Sequence, residues 1–334
     1  MIKPNILSAV GNTPLVELTR LYPNLHFRLF GKLEAVNPGG SMKDRAAISM
    51  LQRAFDTGRI DDDTVIIESS SGNMGIGLAQ ACSYLGLRLI CVVDAKTTAQ
   101  NLNILRAYGS EISIVAEPDP ATGEFLPARL NRVRALLSTI QHSYWPNQYA
   151  NYSNSMAHHQ TVQEILTDLD NNLDYLFCAT STCGTLRGCA EYLKERRVGT
   201  KVIAVDAIGS VIFGGRKGAR LIPGHGSGIV PQLYGPNLAD TVVLVSDLEC
   251  VIGCRRLVKR EAILGGGSTG GIVSAVARVK DDIAEGATCV MILPDRGERY
   301  LDTIYDDEWV IEHFGDVSHL WESVEESREC EMAI

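Results

Sequence analysis

The residues of this sequence best suited to chemistry are one lysine and four turns of small residues. Lys43 stands in NPGGSMKDR (37–45), directly after Pro-Gly-Gly-Ser-Met. Three more segments, SSSGNMGIG (69–77), TSTCGTLRG (180–188) and GGGSTGG (265–271), are rich in Ser, Thr and Gly. All four are read as strand ends that open helices. Ligands of open α/β sheets collect there, where free helix amides and the helix dipole attract anions. One such turn means little, because tight turns need glycine anyway; four predict a ligand with more than one anionic group. None fits GxxxxGK[ST], and GNMGIG lacks the GxGxxG order, which argues against nucleotide-binding loops of either kind. An amine at a helix mouth feels positive potential, which lowers its pKa and favours the reactive neutral form. Alone, Lys43 reads as a solvated lysine. Beside three anion-cradling turns it becomes a Schiff-base candidate for an aldehyde that also carries a phosphate. Pyridoxal 5′-phosphate meets that description.

These groups need a scaffold, and the hydrophobic pattern predicts one. Apolar, β-branched runs at 64–69, 87–94, 111–117, 175–180, 201–207, 241–247 and 288–295 read as strands, most of them nearly continuous, as expected for parallel strands covered on both faces. Helical patterns lie between them, at 75–85, 99–107, 128–139, 186–196, 248–262 and 271–283. The alternation predicts an α/β protein with two open, mostly parallel twisted sheets flanked by helices. Residues 39–146 read as a smaller, mobile domain. Residues 1–38 and 147–320 read as a larger one, and 321–334 as an acidic peripheral tail. The stretch PDPATGEFLP (118–127) reads as a surface loop.

Composition narrows the function classes. With 334 residues there is room for two domains, and 45% hydrophobic against 21% charged residues excludes wholesale disorder. A net charge of −9 argues against a nucleic-acid partner. No signal peptide and no bilayer-length apolar run are read, so a cytoplasmic protein without membrane contact is expected. The nine cysteines are irregularly spaced and several lie in strand-like runs, so buried free thiols are expected. There is no CxxC pair, Cys250 and Cys254 lack a second ligand pair, and adjacent His158 and His159 diverge on a helix. No metal is expected.

The chain resembles the fold-type II pyridoxal-phosphate family, the cysteine synthase and cystathionine β-synthase group. The resemblance rests on GNTPLVEL (11–18), KLEAVNPGGSMKDR (32–45), ESSSGNMGI (68–76), STCGT (181–185), GGGSTGG (265–271) and LPDRGERYL (293–301). It spans residues 5 to 305 and implies a homodimer with its active site in the interdomain cleft. Lys43 would hold the cofactor and move protons, Asn73 would meet its 3′-oxygen, and Ser268 its pyridine nitrogen. Ser181, Thr182, Cys183, Gly184 and Thr185 would form the phosphate turn. Ser70, Ser71, Asn73, Met74 and Gln148 would form the substrate side. A serine hydroxyl does not keep the pyridine nitrogen protonated, so the ring is a weaker electron sink. That suits β-replacement through an α-aminoacrylate and disfavours transamination.

The departures from cysteine synthases concern substrates. Met74 stands where those enzymes have Thr, STCGT replaces GTGGT, and LIPGHGSGIVP (221–231) replaces a KIQGIG-like segment. With VVDAKTT, NQYAN, DAIGSVIFG and GCRRL, these features are similar to a narrower branch. That branch joins O-phospho-L-serine to L-glutamate, giving N-(2-amino-2-carboxyethyl)-L-glutamate, a precursor of L-2,3-diaminopropionate in siderophore biosynthesis. Arg129 is the candidate for the donor phosphate, with Tyr149 and Ser181 as weaker ones and Arg132 as a neighbour on the same helix. His225 is a candidate contact for the second substrate. The competing reading is a cysteine synthase using O-acetylserine or O-phosphoserine with sulfide. A catalytically idle cofactor-binding regulator is a third, against which intact Lys43, Asn73 and Ser268 argue.

Overall fold

The computed structural model describes residues 2–322. The chain opens with β1 (Leu15–Glu17) and β2 (Arg28–Leu33), and then enters α1 (Lys43–Asp56). The next stretch runs β3 (Val65–Ser69), α2 (Asn73–Leu85), β4 (Leu89–Asp94), α3 (Ala99–Ala107), β5 (Glu111–Val115), α4 (Phe125–Thr139) and β6 (Ser143–Tyr144). After α5 (Tyr152–Asp168) come β7 (Tyr175–Ala179), α6 (Gly184–Glu195), β8 (Lys201–Ala207) and β9 (Thr241–Val245). Then follow α7 (Asp247–Glu261), α8 (Gly267–Val279), β10 (Thr288–Leu293), α9 (Asp307–Phe314) and α10 (His319–Glu322).

Two sheets result. The larger has the order β1-β2-β10-β7-β8-β9 and the smaller β5-β4-β3-β6. Every pairing is parallel except β1 with β2. Strands β3, β4 and β10 are buried along their whole length, as parallel strands covered by helices on both faces must be. The larger core joins Phe177, Val205, Ile272 and Met291, and the smaller joins Met50, Ile66, Leu78 and Cys91. The eight described cysteines are free and buried. Among the described residues no helix is long and apolar enough to cross a membrane, and no cluster of His, Cys, Asp and Glu suits a metal.

Three expectations need correction. GGGSTGG does not stand at a strand end: it follows α7 and opens α8, so its amides come from a helix–helix turn. β2 and α5 do not stand out in the apolar pattern because charged and polar side chains are buried among their apolar ones. Lys32 in β2 is fully buried and pairs with Glu164 at 3.0 Å, while α5 buries Asn154, Ser155, His158 and Thr161. β6 has only two residues, too few for any periodicity. The expected tail lies outside the described residues from 323 onward.

The ionic cluster positions α1. Arg45, two residues beyond Lys43, donates to Glu34 at 2.8 Å and to Glu164 at 2.7 Å. Burial alone would raise the Glu164 carboxyl, but Arg45 and Lys32 outweigh it and hold it at about 2. One guanidinium thus ties the start of α1 to α5 and to the 34–36 turn after β2.

Candidate active site

A cleft of about 450 Å³ opens beyond the carboxyl ends of β3, β7 and β10. That volume suits a cofactor-sized ligand. Lys43, the first residue of α1, lines it together with the 69–74 loop, the 179–185 turn, Ser268 and Asp295. Burial pulls the Lys43 ammonium down from 10.5 to about 8, against the opposing pull of Cys183 and Asp295. The expected direction holds, but its main cause is desolvation rather than the helix mouth.

On the β3 side, Ser70 Oγ accepts from the Gly75 amide at 2.9 Å and so fixes the first turn of α2. Ser71 Oγ accepts from Arg129 Nη1 at 3.1 Å. Asp94 faces the same guanidinium, 3.4 Å from Nε, and Arg129 Nη2 donates to no described residue. Gln148 Nε2 donates to the Ser69 carbonyl at 3.3 Å, and Tyr149 lines the wall beside it. Burial raises the Tyr149 phenol. Beneath this wall Glu68 is raised to about 7 by burial, although Trp145 Nε1 and the Ser69 and Gln148 amides donate to it. Met74 borders the cleft but is buried in the smaller core.

On the β7 side, residues 180–183 turn sharply into α6. Cys183 takes φ 63°, the left-handed region that a non-glycine residue adopts at a cost. A Cβ at Gly184 would lie 2.4 Å from Asn154 Oδ1, so any larger residue there would have to displace the buried Asn154 side chain. Thr182 Oγ1 accepts from the Gly184 amide at 3.4 Å. Thr185 Oγ1 lies 3.3 Å from Nε2 of buried His158, whose imidazole burial keeps well below its ordinary pKa and therefore neutral. Ser268 stands in the first turn of α8, and its hydroxyl has no partner among the described residues.

Several cleft residues carried no assigned role in the sequence reading. Asp295 is buried, and one of its oxygens accepts both from Asn73 Nδ2 and from Tyr300 OH at 2.7 Å. Its other oxygen has no partner, and burial raises its carboxyl. Asp295 and Tyr300 sit inside LPDRGERYL, so the motif was visible while the contact with Asn73, 222 residues away, was not. Arg220, Arg299, Thr180, Asn101 and Glu124 also line the cleft. Two candidates fall outside it. His225 is only 1% exposed and packs against Gly271, because its loop turns the ring inward. Arg132 is exposed and donates to Ser113 at 2.9 Å.

The cleft therefore combines a buried amine of lowered basicity, a helix-opening turn walled by small residues and hydroxyls, and an unengaged serine hydroxyl. This set suits an aldehyde cofactor with a phosphate and a ring nitrogen. A family model described as pyridoxal-phosphate dependent enzyme matches residues 6–295. The chain belongs to this family. Solved structures agree. A hydrogen sulfide-producing enzyme from Fusobacterium nucleatum is 35% identical over 90% of this chain and 100% of its own, with TM-score 0.84. An O-acetylserine dependent cystathionine β-synthase from Helicobacter pylori is 33% identical over 92% of this chain and 100% of its own, with TM-score 0.85. An O-ureido-L-serine synthase is 29% identical over 92% of this chain and 96% of its own, with TM-score 0.85. This pyridoxal-phosphate enzyme is thus of the cysteine synthase-like, β-replacing kind.

Proposed function

We propose that the enzyme joins O-phospho-L-serine to L-glutamate, giving N-(2-amino-2-carboxyethyl)-L-glutamate and phosphate. The observation that carries this reading is Arg129, whose guanidinium is tethered to Ser71 and Asp94 at the cleft wall. A phosphorylated donor brings nearly two negative charges at neutral pH, and a guanidinium answers phosphate through paired donors.

In this reading Lys43 and the 181–185 turn hold the cofactor, with Ser268 at its ring nitrogen and Asn73 at its 3′-oxygen. The cofactor, when bound, supplies the electron sink that acidifies Cα. Ser70, Ser71, Asn73, Met74, Gln148 and Tyr149 hold the donor, chiefly by its α-carboxylate. Lys43 takes the Cα proton, the Cβ–O bond breaks, and phosphate leaves with the electron pair toward Arg129. The glutamate amine forms the new Cβ–N bond and sheds its proton, and Lys43 returns a proton to Cα. Membership of a homodimer is part of the proposal.

The test is the ratio of kcat/KM for phosphoserine over O-acetylserine. Arg129→Ala is expected to lower that ratio roughly 10- to 150-fold, the worth of a lost charge-assisted contact. Arg129→Lys should recover only part, since a point charge replaces a fork. An equal fall for both donors would remove Arg129 from the leaving-group site. A second reading, a cysteine synthase using sulfide, draws support from the sulfide-producing and O-acetylserine dependent neighbours.

A further inference from the structure

The cleft contains a second arginine that the donor site does not use. Arg220 lies on the long connection between β8 and β9, on the wall facing α4, which bears Arg129. Its Nη1 donates to the Gly209 carbonyl at 3.0 Å, which pins the head group. Partly buried and lining the cleft, it has no ion pair among the described residues. Arg129 faces Asp94 and donates to Ser71. Arg299 donates to the Gly39 carbonyl, and its charge acts on the buried carboxylates of Asp44 and Asp295.

Two carboxylates lie near Arg220, and neither pairs with it. Asp206, in β8, feels its charge, but burial raises that carboxyl, and Thr180 and the Ala207 amide donate to it. The other is already neutralised. Glu124, at the start of α4, pairs with Lys217 at 2.7 Å. Glu124 and Arg220 flank Gly228. A Cβ there would lie 3.3 Å from Glu124 Oε1 and 3.7 Å from Arg220 Nη2. The glycine thus leaves the passage between the two walls open. The same segment lines the cleft with Pro223, Gly224, Gly226 and Ser227. A half-desolvated guanidinium pinned at one nitrogen is costly to leave without a counter-ion and is well placed to accept one.

We propose that Arg220 is the specificity-determining residue for the second substrate: it receives a carboxylate of the incoming nucleophile. The enzyme then selects nucleophiles that are themselves amino acids over a small anion such as sulfide. This inference rests on the β-replacement reading above and refines its acceptor half. Arg129 and Arg220 divide the work, one drawing the leaving phosphate and the other holding the acceptor while its amine or thiol reaches Cβ.

The experiment compares parent holoenzyme with Arg220→Ala and Arg220→Lys, using phosphoserine with L-glutamate, with L-homocysteine and with sulfide. For the carboxylated acceptor that the parent uses, KM should rise roughly 10- to 100-fold in Arg220→Ala. Its kcat at saturation should change much less, and the ratio of kcat/KM for that acceptor over sulfide should fall in step with KM. Arg220→Lys should recover part of the loss. Cofactor absorbance and melting temperature report whether the variants remain folded and loaded, and acceptor binding to each is read independently by calorimetry with glutarate, a dicarboxylate without a nucleophile. An unchanged acceptor KM together with unchanged glutarate affinity would overturn the proposal, as would a rise confined to the phosphoserine KM. A parent that uses homocysteine but not glutamate, with KM raised in Arg220→Ala, would refute the glutamate reading and leave Arg220 in place. A parent that uses only sulfide would refute both.

Discussion

At the scale of single residues, the proposed reaction requires the Lys43 amine to be neutral when it acts. Burial brings Lys43 from 10.5 to about 8, so its neutral fraction grows as pH rises through that value. Cofactor-stripped enzyme mixed with pyridoxal phosphate should therefore develop its visible band at a rate that rises with a midpoint near pH 8. A midpoint at or above the ordinary lysine value would mean that the amine is solvated. Lys43→Ala should lose both the band and turnover while keeping a melting temperature within a few degrees of the parent. The sign for stability follows from proton counts. The folded state binds fewer protons than the unfolded chain between about 8 and 10.5, so stability rises with pH across that window. Most residues of the cleft were legible because Gly, Ser and Lys in fixed order leave a strong imprint. The role of Asp295 was not, although its motif was, because its contact with Asn73 joins segments 222 residues apart; Arg220 was not, because a lone guanidinium has no pattern until a distant chain segment comes beside it.

At the scale of elements, the position of Lys43 is set by the ionic cluster under α1. Arg45, Lys32, Glu34 and Glu164 join β2, the following turn, α1 and α5. Removing one member of a buried ion pair leaves its partner uncompensated, at a cost of about 3–5 kcal/mol. Glu164→Gln should accordingly lower urea-unfolding stability by about that amount at neutral pH. Glu164 sits at about 2 when folded and 4.5 in its ordinary state, so the unfolded chain binds more protons between these values. Its contribution is fully present above about pH 4.5 and is lost as pH falls toward 2. The difference between parent and variant should shrink over that window, and a pH-independent gap would contradict this account. The same cluster explains why β2 and α5 escape a hydrophobic-period reading: Lys32 in β2 and Asn154, Ser155, His158 and Thr161 in α5 are buried among apolar residues and interrupt the pattern. The strands β3, β4, β7, β8 and β10, by contrast, are nearly continuous apolar runs and were readable to within a residue or two.

At the scale of the whole molecule, two mostly parallel sheets bring the carboxyl ends of their parallel strands to one cleft, and function follows from what each wall carries. One wall holds the turn of α6, Ser268 and Arg220, and the other holds the 70–74 loop and Arg129. Lys217, on the β8–β9 connection, pairs with Glu124 at the start of α4. The alternation of strands and helices made this architecture readable, whereas the helix-to-helix origin of the 265–271 turn was hidden by its likeness to the strand-end turns. What remains is which nucleophile this cleft joins to Cβ. Holoenzyme supplied with phosphoserine, glutamate and sulfide together, with the product identified by mass and released phosphate counted, decides it. N-(2-amino-2-carboxyethyl)-L-glutamate should be the main product, with one phosphate released for each molecule formed. Cysteine as the main product, with no glutamate adduct, would contradict it.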